Sequence, residues 1–225
     1  MKYTYLIINL LTVVFPVALS FDKRVAFAKS WKYLWPGITI TGLVFLFWDV
    51  LFTVYGVWSF NDAYITGIKF IGLPLEEILF FLTVPFSCMF IYACLNHYIN
   101  WEPPFALTRM ISNLLIGVSV SLLVFNYTRL YTAVTFGLLV ALLVVLVYFL
   151  KVEWLGRFYM AFVVSLIPFY IVNGILTAWP VVLYNNAQNM GIRVGTIPFE
   201  DHFYSMALLM MNVAFFEYFK TRKTA

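Results

Sequence analysis

"TVYGVWSFNDAYITGIKFIGLPLEE", residues Thr53–Glu77, lies without a gap over "TAWPVVLYNNAQNMGIRVGTIPFED", residues Thr177–Asp201, when the sequence is slid against itself by 124 positions. Identities fall at Thr53/Thr177, Val57/Val181, Asn61/Asn185, Ala63/Ala187, Gly67/Gly191, Ile68/Ile192, Pro74/Pro198 and Glu76/Glu200. Conservative pairs include Asp49/Asn173, Phe60/Tyr184, Lys69/Arg193, Glu77/Asp201 and Phe80/Tyr204. The same offset brings Tyr3–Thr4 onto Tyr127–Thr128. Self-similarity at a fixed distance marks a duplicated structural unit.

Hydropathy says what the unit is. The chain has 225 residues, 64% hydrophobic and 11% charged, against about 45–50% and about 25% in soluble domains, so it reads as an integral membrane protein. Seven segments have membrane-crossing length and polarity: about 3–20, 37–57, 76–96, 105–125, 129–150, 158–178 and 201–219. The first resembles a secretory signal at Ala18 and Ser20, but its counterpart at Tyr127–Thr128 favours a first transmembrane helix. "WPG" at Trp35–Gly37 opens the second span, with Pro36 near its first helical position, and "EPP" at Glu102–Pro104 separates the third from the fourth.

Each copy therefore holds three helices, and the span at 105–125 is extra. The expected division is 1–98, 99–126 and 127–225: repeat, linking helix, repeat. Three helices plus one restore the starting orientation, so the copies run parallel about a pseudo-two-fold along the membrane normal, and sites in such proteins lie where the copies meet. The expected fold is all-α, with about seven transmembrane helices.

Lys23, Arg24, Lys29, Lys32, Arg109, Lys151, Arg157, Lys220, Arg222 and Lys223 fall on one side, and Lys2, Lys69, Arg129 and Arg193 on the other. This bias places the N-terminus outside and the C-terminus in the cytoplasm. A net charge of +4 without a basic run or glycine-rich loop gives no sign of nucleic-acid binding. Two histidines, His97 and His202, are too few for a histidine-rich metal centre. Cys88 and Cys94 share one apolar segment and read as small buried hydrophobes.

Both copies place proline, a hydrophobe and two acids before an apolar helix: "PLEE" at Pro74–Glu77 and "PFED" at Pro198–Asp201. The prolines suit a first helical turn, and Glu76, Glu77, Glu200 and Asp201 then lie where free N–H groups and the helix dipole favour carboxylates. Capping explains one such pair. Two in register, at a lipid boundary where ionisable groups are costly, point to chemistry, since crowding and burial favour a carboxylic acid that stays protonated near neutral pH.

Asp49, inside "FLFWDVLF" near the middle of the second span, and its mate Asn173 are either interhelical hydrogen-bonding groups or part of the site. Membrane-interface belts account for most of Trp48, Tyr55, Trp58, Phe60, Trp179 and Tyr184. Phe80, Phe81, Phe203 and Tyr204 stand within a turn of the acids, where ring faces stabilise a cation by about 0.5–2 kcal/mol each. With Trp48, Asp49 and Asn173 they make up the candidate substrate-binding set.

Two three-helix units, each with Pro-x-Glu-Glu/Asp opening its third helix, resemble the membrane-integral lycopene cyclase family. That family includes bacterial heterodimeric lycopene β-cyclases, fused single-chain forms and the cyclase domain of fungal bifunctional carotenoid enzymes. The resemblance to the fused form covers nearly all of the chain, and "PFED" departs from the pattern by Asp201 in place of the last Glu. It implies acid-initiated, non-redox cyclisation of lycopene end groups to β-ionone-type rings in a bacterial inner membrane, with no cofactor and with oligomerisation left open. Glu76 or Glu200 is then the acid and Glu77 or Asp201 its partner. The competing readings are a small transporter or proton carrier with the acids as a relay, and another carotenoid-modifying membrane enzyme. A rhodopsin-like receptor is disfavoured because Lys220 lies at the end of the last span.

Overall fold

The computed structural model describes residues 1–222; Lys223, counted above among the cytoplasmic basic residues, lies outside them. Among the described residues seven α-helices carry the fold: α1 (Thr4–Leu19), α2 (Trp31–Val54), α3 (Leu75–Tyr98), α4 (Phe105–Phe125), α5 (Leu130–Val144), α6 (Leu155–Ala178) and α7 (Phe199–Thr221). A 3-10 turn at Phe27–Ser30 leads into α2, and a π-helical turn at Val145–Phe149 ends α5. Five are long and apolar enough to cross a membrane: α2 with its 3-10 turn, α3, α4, α5 with its π turn, and α6. The chain is an all-α membrane protein. α1 is apolar but has only 16 residues, and α7 carries Glu200, Asp201, Glu217 and Lys220.

α2 starts six residues earlier than the sequence predicts, so Pro36 lies inside the helix rather than near its first position. The proline removes one hydrogen bond in the second turn, close to an end where several N–H groups lack helical partners anyway. The early start also changes Asp49, which lies in the last two turns of α2 and not near its middle. Gly37 sits where α2 crosses α7; a Cβ there would come within 3.1 Å of Phe215 Cβ, the close approach that small residues permit between membrane helices.

α1 packs on α3 and α5 on α7, while α2 and α6 cross between the halves to pack on α7 and α3. α4 lies outside this arrangement, mainly against α5. The main core is apolar and continuous, from Phe27 and Leu34 through Phe81, Phe86 and Leu143 to Phe158 and Val213.

The segments after α2 and α6 are short antiparallel pieces that hydropathy alone does not predict. β1 (Trp58–Phe60) pairs with β4 (Val182–Tyr184) in the register Trp58↔Tyr184, Ser59↔Leu183 and Phe60↔Val182. Ser59 and Leu183 are themselves 124 positions apart, and so are Trp58/Val182 and Phe60/Tyr184. Each strand thus meets its own counterpart, and a two-fold axis passes through the Ser59–Leu183 pair, the signature of an isologous contact. The flanking bonds obey the same exchange: Asn61 N–H donates to Val181 O and Asn185 N–H to Val57 O, both at 2.9 Å.

Two small hairpins, β2 (Lys69–Phe70) with β3 (Leu73–Pro74) and β5 (Arg193–Val194) with β6 (Ile197–Pro198), feed directly into α3 and α7. Their two-residue turns need positive φ. The first has Ile71 at 51° and Gly72 at 84°; the second has Gly195 at 64°.

Candidate active site

The hairpins aim the acids. Pro74 and Pro198 are extended and stand just before the first helical residue, not inside the first turn. The first helical N–H groups are taken by the hairpins, Leu75 donating to Ile68 O at 2.9 Å and Phe199 to Ile192 O at 3.0 Å. Glu76, Glu77, Glu200 and Asp201 follow in the first turn, and all four are buried. Successive helical residues point about 100° apart, so the two acids of each pair face different surroundings.

The first acid of each pair faces its own loop. Glu76 Oε1 accepts the Thr66 N–H at 2.7 Å. Glu200 Oε1 accepts the Met190 N–H at 2.7 Å and the Thr132 hydroxyl at 2.6 Å. The remaining oxygens, Glu76 Oε2 and Glu200 Oε2, are buried without a protein partner.

The second acid faces the interior. Glu77 Oε2 accepts the Tyr5 hydroxyl at 2.5 Å. Asp201 accepts two phenols, Tyr131 on Oδ1 at 2.6 Å and Tyr184 on Oδ2 at 2.8 Å. Desolvation, then the negative charge of Asp201, holds the Tyr184 phenol well above the ordinary tyrosine range, so it remains an O–H donor at neutral pH. Glu77 and Asp201 line one cavity of about 310 Å³; Glu76 and Glu200 do not. This volume is within the usual range of ligand sites.

The cavity runs between α1, α3, α6 and α7 beneath the β1–β4 ribbon, and apart from the acids and their phenols its walls are mainly apolar. Around Asp201 the rings stand edge to face: Trp58 lies 5.2 Å from Tyr131 and 6.1 Å from Tyr204, centroid to centroid. Phe80 stands 6.1 Å from Tyr5 on the Glu77 side. Pro16 of α1 and Pro168 of α6 border the cavity, and these two helices touch only sparsely.

Of the candidate binding residues, Phe80, Phe81, Asn173 and Tyr204 line the cavity. Asp49, Trp48 and Phe203 do not. Asp49 is buried and accepts the Trp58 indole N–H at 2.6 Å, so it touches the wall and not the hollow. Trp48 packs on Phe52. Phe203 turns the other way, onto Phe136 and Phe199. Cys88 and Cys94 are half-buried rather than buried, and Cys88 borders the cavity.

Tyr5, Tyr131, Tyr184 and Trp58 belong to the site although the sequence reading left them out of its candidate set. The helix starts explain why the first two escape the 124-residue offset. Tyr5 N–H donates to Tyr64 O at 3.1 Å, and Tyr131 N–H to Gln188 O at 2.9 Å. Tyr64 and Gln188 are 124 apart, whereas Tyr5 and Tyr131 are 126 apart. The first helix of each unit is thus shifted by two residues relative to the rest, and the Tyr3/Tyr127 match pairs two exposed side chains instead.

The lycopene cyclase family model matches residues 2–95 and 128–219, which leaves α4 between the two matched stretches. No curated protein and no solved structure matches the chain. Matched over both halves, each with an acid pair in the first turn of a helix, the chain belongs to the lycopene cyclase family.

Proposed function

We propose that this protein is a lycopene β-cyclase in which Glu77 and Asp201 move the protons. Family membership carries a lycopene cyclase-type activity on a membrane-dissolved carotenoid; the ring type and the residue roles are the proposal. One observation supports it above others: each half sends one carboxyl into the same aromatic-walled cavity.

The hydrogen bonds divide the labour. Asp201 accepts two phenol donors, which stabilise its ionised form. Glu77 accepts one, and its Oε1 has no hydrogen bond to the protein, so it can carry the transferable proton towards the cavity. Glu77 protonates the terminal carbon–carbon double bond of an end group. The resulting tertiary cation is attacked by the neighbouring double bond, one carbon–carbon bond forms, and the six-membered ring closes with the cation displaced into it. Asp201 removes a proton from the adjacent ring carbon, and the electron pair of that C–H bond becomes the ring double bond. One proton enters and one leaves, so the product is an isomer and no redox partner is needed. Trp58, Phe80, Phe81 and Tyr204 line the cavity and exclude water, and ring faces turned towards the cation stabilise it. Glu76 and Glu200, bound to loop backbone, hold the hairpins that orient their neighbours.

The substrate enters from lipid past Pro16 and Pro168. The chain divides at 1–98, 99–126 and 127–225 and sits in a bacterial inner membrane with its N-terminus outside, which puts the acids near the outer face. Expression in a host that accumulates lycopene tests the function. Cyclic products on chromatography are expected. Unchanged lycopene in membranes that contain folded protein would overturn the reading and favour a carrier.

A further inference from the structure

We infer that the chain has one working chamber, its pseudo-symmetric counterpart being plugged by Trp48, Phe52 and Trp58, so that it cyclises one end of a polyene per visit. The inference rests on the cyclase reading and concerns how many chambers serve it.

A two-fold through Ser59 and Leu183 maps each cavity wall onto a second place between α2, α5, α7 and α3. In the open cavity the lining includes Val172, Leu176 and Val182. Their counterparts 124 positions away are Trp48, Phe52 and Trp58. At each of the three positions a ring replaces a branched aliphatic side chain, and the rings pack on one another: Phe52 stands 4.9 Å from Trp58, 6.2 Å from Trp48 and 5.8 Å from Tyr131. Phe52 is 2% exposed and Tyr131 1%. Interiors close-packed in this way have no room for a further group.

Two further features hold the plug. Asp49 fixes the Trp58 indole through its N–H, whereas its mate Asn173 faces the open cavity. α2 also packs closely along α3, while the equivalent contact of α6 with α7 is much sparser. Trp58 borders the open cavity as well and so acts as the partition. Glu77 and Asp201 both line the open cavity. A symmetric substrate must therefore withdraw and return reversed for its second end to reach Glu77 and Asp201.

The test uses the full chain in lipid nanodiscs with lycopene as the probe. Titration is expected to saturate at one lycopene per chain. In a time course with tenfold excess of lycopene, monocyclic product is expected first, with bicyclic product following a lag. Two bound lycopenes per chain, or bicyclic product from the start without monocyclic product, would overturn the inference while leaving the cyclase reading intact. One bound lycopene with no cyclic product would overturn the cyclase reading, and with it the order of ends, though not the single chamber. Absence of binding would overturn both. Val172→Trp combined with Leu176→Phe copies the plug into the open side; at least tenfold weaker lycopene binding is expected, and undiminished binding by the folded variant would place the ligand elsewhere.

Discussion

The starts of α3 and α7 are built alike and finished differently. In both, a hairpin satisfies the first helical N–H, the first acid ties down a loop ten residues back, and the second faces the cavity. The differences are in what surrounds the acids. Tyr184 gives Asp201 a second phenol, and the matching residue, Phe60, has no hydroxyl to give Glu77. Thr132 adds a donor to Glu200, while Leu6, the residue after Tyr5, has none for Glu76. Duplication supplies two carboxyls in one cavity; in the proposed mechanism, loss or gain of single hydroxyls makes one the better acid and the other the better base.

The largest expected effects test whether the inner acids outrank the outer ones. Glu77→Gln and Asp201→Asn should each lower cyclic product formation by about 100-fold or more, as loss of a general acid or base does, measured chromatographically at matched protein level. Equal losses in Glu76→Gln and Glu200→Gln, with the fold intact, would erase the distinction. Next comes the phenol difference. Tyr184→Phe removes a hydrogen bond to a charged group, worth about 1.5–3 kcal/mol, and should slow turnover roughly 10- to 100-fold if the loss falls on the barrier. Phe60→Tyr gives Glu77 a second donor and should slow turnover too, because it favours the form that cannot protonate substrate. Faster turnover in Phe60→Tyr would reverse the assignment of acid and base.

Smaller effects concern stability. Glu76→Ala strands the Thr66 N–H, and Glu200→Ala strands both the Met190 N–H and the Thr132 hydroxyl; at about 1–3 kcal/mol for each unsatisfied buried group, thermal unfolding should show the second variant to be the less stable. The smallest effect is in the turns. Ile71 holds a positive φ where the other half has Gly195, a conformation costly for a branched residue. Ile71→Asn should raise stability by about 1 kcal/mol in the same measurement, because asparagine tolerates that region.

The sequence carried the helices well, since a membrane requires long apolar runs, and the 124-residue offset exposed the two acid pairs. It placed α2 too late because Pro36 reads as a start signal, although the helix begins at Trp31. It leaves residues 58–75 as a connection between two spans, because strands of two or three residues leave no periodicity to detect. Trp58 and Tyr184 were assigned to the membrane interface, where such residues abound, and only the register of the ribbon turns them inward. Which acid of each pair faces the cavity depends on helix rotation, and that is set by the hairpins rather than by the motif itself.

The β1–β4 ribbon has a consequence for how the two halves came to live in one chain. Each half contributes a single strand to it, so a half made alone would carry a row of open amides and carbonyls seeking a partner. Two separate polypeptides of this kind would find each other in the bilayer without any tether. Joining them through α4 does not create the contact; it fixes the pairing as unlike with unlike, in equal number.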